Sequence, residues 1–138
     1  MTAFHIKGEV MSSVITRGIK VEVESEFVPE RSDPERESYF FAYHVCITNQ
    51  SDETVQLMSR HWMITDAQGH SEEVRGPGVV GEQPTLDPGE SFEYSSFCPL
   101  KTPVGVMQGT YQMVTSDGTS FDAEIAPFTL AQEEVVFH

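Results

Sequence analysis

Basic residues are scarce in this chain of 138 residues. Lys and Arg number 8 against 22 Asp and Glu, which gives a formal net charge of −14 at pH 7. Nucleic-acid affinity comes largely from clustered Lys and Arg side chains that neutralise phosphates. The composition therefore argues against direct nucleic-acid binding, and by the same reasoning against phosphate ligands and anionic membranes.

Long apolar runs and a secretory signal are also lacking. The sequence opens MTAFHIKGEVMSS, without the apolar centre of a signal peptide, and no apolar run is long enough to span a membrane. The two cysteines are Cys46 and Cys98. We therefore predict a cytoplasmic protein with reduced thiols and no membrane insertion.

Recognisable catalytic and metal-binding motifs are missing as well. Ser95 and Ser96 have no G-x-S-x-G context, and no pair of carboxylates stands out among the many acidic residues. His44 and Cys46 form at most half of a soft-metal site, because structural zinc needs four ligands and no C-x-x-C completes the set. We predict a non-enzymatic protein without catalytic residues, a metal site or a cofactor.

The main pattern along the sequence is an alternation of apolar and polar residues. Ile19, Val21 and Val23 alternate with Lys20 and Glu22, as in a strand with one buried face. Similar segments recur with turn signals at about 8–12-residue spacing, and no helical pattern appears. The sequence predicts an all-β chain, an antiparallel β-sandwich of about seven strands.

The third predicted strand changes parity along its length. Apolar Val55 and Leu57 occupy odd positions, whereas Trp62 and Ile64 occupy even ones. A strand with one buried face accommodates this change only if a residue is inserted. We predict a β-bulge in the interval 58–60.

Two features resemble immunoglobulin-type domains. Trp62 lies in the middle of a predicted strand, and the segment around Tyr111 resembles the region of a tyrosine corner that precedes a core cysteine. Met113 occupies the position of that cysteine. We predict an immunoglobulin-like sandwich without a disulfide, in which Trp62 packs on thioether and aliphatic groups at the centre of the core.

The segment GPGVVG places Gly76, Gly78 and Gly81 at the spacing G-x-G-x-x-G. In dinucleotide-binding folds this motif is followed by a helix whose N-terminus holds the pyrophosphate. Residues 82–89 contain two prolines and a second turn, and Glu82 repels phosphate. We expect a loop that needs positive φ or close backbone approach, with weak nucleotide or pyrophosphate binding as an alternative.

Val79 and Val80 of the same loop are apolar residues between glycines. An apolar loop tip on a rigid sandwich is a common way to present a binding surface. The predicted contact surface consists of Gly76, Gly78, Val79, Val80, Gly81, Arg60 and Trp62.

The order of these residues resembles the ApaG family over about residues 14–130. The resemblance rests on Arg60-x-Trp62-x-Ile64-x-Asp66-x-x-Gly69, Val74-x-Gly76-x-Gly78-Val79-Val80-Gly81-x-x-Pro84-x-Leu86-x-Pro88-Gly89, Phe92-x-Tyr94-x-Ser96, Leu100-x-Thr102-Pro103-x-Gly105-x-Met107-x-Gly109-x-Tyr111-x-Met113 and Phe121-x-x-x-Ile125-x-x-Phe128-x-Leu130. Phe97 departs from the family, which usually has glycine there. The resemblance implies a fibronectin-III- or immunoglobulin-like fold and a small bacterial cytoplasmic protein associated with cobalt and magnesium tolerance or efflux. The family has no established catalytic residues.

We divide the chain into an N-terminal extension (1–13), an ApaG-like sandwich domain (14–130) and a flexible C-terminal tail (131–138). The predicted function is binding of an unidentified protein partner, with an association with cobalt resistance and magnesium homeostasis implied by the resemblance. Direct binding of a divalent cation is an alternative. Homodimerisation through a free strand edge stays open, because an open sandwich has unpaired edges.

Overall fold

Two antiparallel sheets packed face to face make up the computed structural model, which describes residues 11–132. The nine strands in this range are β1 (Ser12–Thr16), β2 (Ile19–Phe27), β3 (Tyr39–Asn49), β4 (Val55–Asp66), β5 (Ser71–Pro77), β6 (Thr85–Leu86), β7 (Ser91–Leu100), β8 (Val104–Thr115) and β9 (Ser120–Ala131). Two single-turn 3-10 helices, Pro29–Arg31 and Pro34–Arg36, lie between β2 and β3. No helix among the described residues is long and apolar enough to cross a membrane.

Sheet I has the strand order β1-β2-β3-β7, and sheet II has the order β5-β4-β8-β9, with β6 pairing with β4 beside β5. The predicted antiparallel β-sandwich is confirmed. The predicted number of about seven strands is too low, because β1 and the two-residue β6 were not expected. The side chains of β1 that turn inward are Ser12, Val14 and Thr16, so this strand lacks an apolar alternation.

The ends of the described range bear on the predicted boundaries. Strand β1 begins at Ser12, two residues before the predicted start of the domain, and β9 ends at Ala131. Residues 1–10 of the predicted extension and 133–138 of the predicted flexible tail lie outside the described residues.

The predicted bulge in β4 is confirmed at Met58. The register between β4 and β8 shifts between Leu57 and Ser59, so Met58 is the inserted residue. This insertion lets Val55, Leu57 and Trp62 all face the core although their positions differ in parity. The Met58 carbonyl also accepts hydrogen bonds from residues outside β4.

The two long sides of the sandwich differ. On one side β9 packs against β1 and β2, and side chains of sheet I bond its backbone. The Glu124 N–H donates to Thr16 Oγ1 at 3.0 Å, and Ser25 Oγ donates to the Thr129 carbonyl at 2.8 Å. On the other side β7 and β5 end their sheets, and a cleft of about 760 Å³ lies between them. Within residues 11–132 the sandwich is thus closed along one side and open along the other.

Candidate interaction site

A four-residue turn shapes the glycine loop after β5. Val79 N–H donates to the Glu82 carbonyl at 2.8 Å, and Glu82 N–H donates to the Val79 carbonyl at 2.9 Å. The two central residues, Val80 and Gly81, have φ of +43° and +82°. Positive φ at both central positions is the geometry of a type I′ turn, which glycine, Asn and Asp favour. A β-branched residue at the first of these positions is therefore unusual.

The two valines of the loop point in opposite directions. Val79 is 0% exposed and belongs to the core, whereas Val80 is 55% exposed at the tip. The prediction that Val79 forms part of an exposed contact surface is wrong, because the paired turn directs its side chain between the sheets. Val80 stays a candidate contact residue.

Arg60 and the bulge hold the loop in place. Arg60 Nη1 donates to the carbonyls of Pro77 and Gly78 at 3.0 and 2.9 Å. The carbonyl of the bulged residue Met58 accepts from Gly78 N–H at 2.9 Å and from Gln83 Nε2 at 2.9 Å. The predicted bulge in β4 therefore supplies an anchor for the candidate site.

Close packing explains two of the three glycines. A Cβ at Gly76 would lie 2.8 Å from Arg60 Nη2, and a Cβ at Gly78, whose φ is +58°, would overlap the Glu82 carbonyl oxygen. No α-helix follows the loop within the described residues, which continue into β6. The glycines thus serve the backbone path and the Arg60 side chain, and the helix N-terminus that a dinucleotide motif requires is not formed there.

Trp62 lies in the core. It is 2% exposed and contacts three aromatic rings, with centroid distances of 5.3 Å to Tyr43, 6.2 Å to Tyr111 and 5.9 Å to Phe128. The prediction of a central Trp62 is confirmed, although its ring neighbours include aromatic rings that the sequence did not predict. Trp62 is also a predicted contact residue; its side chain is buried between the sheets and lines the cleft, and its part in binding stays a prediction.

Buried tyrosines lie beside Trp62. The hydroxyls of Tyr94 and Tyr111 are 2.5 Å apart, so Tyr111 bonds another phenol and does not form the tyrosine corner that its sequence context resembles. Burial raises the pKa of both phenols above the usual value near 10, and the Arg60 charge offsets part of this rise. Both tyrosines are therefore neutral hydrogen-bonding groups at physiological pH.

The open side of the sandwich forms a groove with an apolar floor and a charged rim. The floor includes Tyr43, Trp62, Ile64, Val74, Cys98 and Met107. The rim carries Glu37, Arg60, Asp66, His70, Glu72 and Lys101. A volume of about 760 Å³ is within the range of ligand and peptide-binding clefts. Of the predicted contact residues, the cleft brings together Arg60 and Trp62, and the 76–81 loop does not line it.

A serine, a histidine and a carboxylate meet on the outer face of sheet I, which sequence reasoning missed. His44 Nδ1 lies 2.5 Å from Ser95 Oγ, and His44 Nε2 lies 3.5 Å from Glu26 Oε1. The three side chains come from β2, β3 and β7, so only the strand register could have revealed them. None of them lines the cleft, and we interpret the group as a cross-strand polar ladder.

The half-site of His44 and Cys46 lies beside polar and acidic side chains but is not completed to a metal-binding group among the described residues. Cys46 Sγ is 3.7 Å from Thr48 Oγ1 and 3.9 Å from Glu93 Oε1. Across residues 11–132 there is no group of three or more His, Cys, Asp or Glu side chains placed to hold a metal ion.

The two thiols lie on opposite faces of sheet I. Cys98 pairs with Phe41 and faces the core, whereas Cys46 pairs with Glu93 and faces outward. Both cysteines are free, and they could not join without rearranging the sheet.

We expect Cys98 to resist thiol reagents in the folded protein. Burial raises its pKa to about 12, so the thiolate is on the order of 10⁻⁴ of the thiol at pH 8. In a Cys46→Ser variant, reaction with a disulfide reagent should be at least about 100-fold slower in buffer than in urea, and should accelerate as pH rises. Equal rates in buffer and urea would show that Cys98 is accessible.

Comparisons with known proteins identify the family to which this sequence is similar. The family model described as the ApaG domain matches residues 29–115. Protein ApaG of Beijerinckia indica is 61% identical over 120 residues, which cover 87% of this chain and 92% of that protein. Protein ApaG of Anaeromyxobacter dehalogenans is 59% identical over the same share of this chain and 94% of its own.

Solved structures show the same architecture. The crystal structure of an ApaA protein from Bordetella pertussis superposes with a TM-score of 0.83 at 48% identity, covering 92% of this chain and 100% of that one. The C-terminal domain of Wzt shares the fold alone, with a TM-score of 0.52 at 9% identity over 91% of this chain and 79% of its own. From the family match and the extent of these identities, the chain belongs to the ApaG domain family.

Proposed function

We propose that this chain is a non-enzymatic protein-interaction domain whose contact surface is centred on the loop tip at Val80. The observation that carries the proposal is the combination of backbone strain and apolar exposure in one residue. Val80 is β-branched, has φ of +43° and is 55% exposed. Each property is unfavourable in an isolated domain, and Asn or Gly at this position would relieve both.

Strained residues persist where the surrounding structure holds them and tend to occur at functional sites. The surroundings of Val80 meet this condition. Val79 anchors the first position of the turn in the core, and Arg60 and the Met58 carbonyl bond the two residues that precede it. A tip held in this way is preorganised, which reduces the entropy that a partner must overcome on binding.

Within this proposal the protein acts in the cytoplasm, and its association with cobalt resistance and magnesium homeostasis operates through the partner. The net charge of −14 favours a partner with a basic surface, because complementary charge speeds encounter. No metal bound to the domain is required for this role.

The proposal predicts that Val80→Asp abolishes partner capture without unfolding the domain. A carboxylate at the tip would have to be desolvated in the interface, whereas the free domain leaves it in water. Wild type, Val80→Asp and Val104→Asp are immobilised and exposed to cell lysate; Val104→Asp is a control at another exposed valine. We expect wild type and the control to retain proteins that Val80→Asp does not retain. Identical capture by all three proteins would contradict the proposal. Thermal unfolding checks that each variant is folded, and its free energy of unfolding should lie within about 0.5 kcal/mol of the wild-type value.

A further inference from the structure

Strand β7 ends sheet I among the described residues, and it carries little of the usual protection of an edge strand. Natural edge strands carry charges, prolines or bulges that discourage pairing with another chain. Strand β7 carries one charge, Glu93, and one proline, Pro99, and the five residues between them, Tyr-Ser-Ser-Phe-Cys at 94–98, include neither. Among these five residues, Phe97 is 52% exposed.

The other terminal strands among the described residues are protected. Strand β5 carries Glu72, Glu73 and Arg75 within its seven residues. Strands β1 and β9 pack together on the closed side, where Thr16 and Ser25 side chains bond the β9 backbone. The contrast singles out β7 as the edge that is open to a further strand.

We propose that β7 binds an extended, net-basic segment of a partner protein, which joins sheet I as an additional strand at the mouth of the cleft. This inference goes beyond the proposed function, since its surface does not include the Val80 loop. Main-chain hydrogen bonds to the free edge supply affinity in such complexes, and pockets for alternate side chains supply specificity.

Both faces of an added strand would find a complementary surface. Side chains on its inner face would enter the cleft over Trp62, Val74 and Cys98. Side chains on its outer face would lie beside Phe97, whose ring packs on Phe40 at 5.2 Å between centroids and lies 5.3 Å from the Arg31 guanidinium. Apolar residues therefore suit the inner positions and the outer position beside Phe97, and basic side chains suit the outer positions nearer to Glu93.

The negative charge of the chain favours a basic segment over a second copy of this chain at β7. A second copy of this chain would bring another net charge of −14 to the same edge, which opposes homodimerisation through β7. The rim of the cleft carries Glu37, Asp66 and Glu72 beside Arg60 and Lys101, so its charges are nearly balanced. Lys and Arg side chains on an incoming segment would be attracted mainly by the overall charge of the chain.

The test uses a synthetic peptide of alternating Val and Lys, about 10 residues long to match β7. Trp62, the only tryptophan of the chain, reports binding at the cleft by fluorescence. We expect saturable binding that weakens with salt, and slower hydrogen exchange at β7 amides but not at β5 amides. A peptide with Glu in place of Lys should bind at least about tenfold more weakly.

Backbone pairing is tested by N-methylating alternate amides of the peptide in two registers. In an added strand one set of amides faces β7 and the other faces solvent, so one register should abolish binding and the other should be tolerated. Equal binding of both methylated peptides would overturn strand addition. Equal binding of the acidic peptide would overturn the assignment of a basic partner.

Variants of the protein locate the site. Phe97→Lys adds a charge to the free edge and should weaken peptide binding at least about tenfold, whereas Ile15→Lys alters an equally exposed residue on β1 and should leave it unchanged. Wild type that dimerises in sedimentation, with Phe97→Lys monomeric, would assign the edge to a second copy and contradict the proposal. Val80→Asp should bind the peptide like wild type, so failure of the loop-tip proposal and failure of this one are separate outcomes.

Discussion

Trp62→Ala is expected to lower the free energy of unfolding by about 3–5 kcal/mol, as truncations of large core aromatics do. The indole is 2% exposed and contacts the rings of Tyr43, Tyr111 and Phe128, which belong to both sheets. Its removal would leave a cavity between the sheets that neighbouring strands, held in register on both sides, could not close. No disulfide limits the loss, because both cysteines are free.

Urea unfolding followed by far-UV circular dichroism measures this effect, since the variant has no tryptophan to report it. Trp62→Phe is the matched control, because it keeps an aromatic ring and removes an indole N–H that has no hydrogen-bond acceptor among the described residues. We expect the control to lose clearly less stability than Trp62→Ala. A midpoint for Trp62→Ala equal to that of wild type would show that Trp62 is not central to the core.

The core of this fold could be predicted from periodicity because burial acts on every second residue of a strand. The change of parity between Leu57 and Trp62 predicted the bulge, since both residues are too apolar to face solvent in sheet II. Strand β1 could not be found in this way, because its inward residues include Ser12 and Thr16. Strand β1 is placed by its pairing with β2 and by its packing against β9 of the other sheet.

The candidate site was harder to predict than the core. Val79 and Val80 are identical in type and adjacent, and only the turn geometry decides that one side chain is buried and the other exposed. The free edge of β7 follows from the order of strands in sheet I, which no local pattern encodes. The ladder of Glu26, His44 and Ser95 likewise depends on register between three strands.

Arg60 connects strand β4, the glycine loop and the cleft. It lies on β4 beyond the bulge, crosses the inner face of Gly76 and donates to the carbonyls of Pro77 and Gly78. A single side chain thereby connects the sheet to the loop tip and lines the cleft. Gly76 makes room for this Arg60 contact, whereas Gly78 makes room for the Glu82 carbonyl oxygen of the turn. These two packing requirements explain a nucleotide-like motif in a domain whose charge disfavours phosphate.

Val79→Asp is expected to destabilise the domain by at least about 3 kcal/mol. Val79 is 0% exposed in the core, so its replacement would bury a carboxylate among apolar groups. Val80→Asp, one residue on, places the same group in water and should change stability by no more than about 0.5 kcal/mol. Chemical unfolding of the two variants beside wild type measures the difference, and equal stability of the two would contradict the opposite directions of the side chains.

The pH dependence of the free energy of unfolding of Val79→Asp and Val80→Asp shows whether burial of charge causes the loss of stability. Burial raises the pKa of a carboxyl, because the charged form loses hydration, so the folded Val79→Asp protein binds its proton more tightly than the unfolded chain does. Its stability relative to wild type should therefore improve as pH falls through that raised pKa toward the unfolded value near 4. The difference between Val80→Asp and wild type should stay nearly constant over the same interval. A Val79→Asp deficit that does not shrink at lower pH would mean that the loss comes from the shape of the substitution and not from the burial of charge.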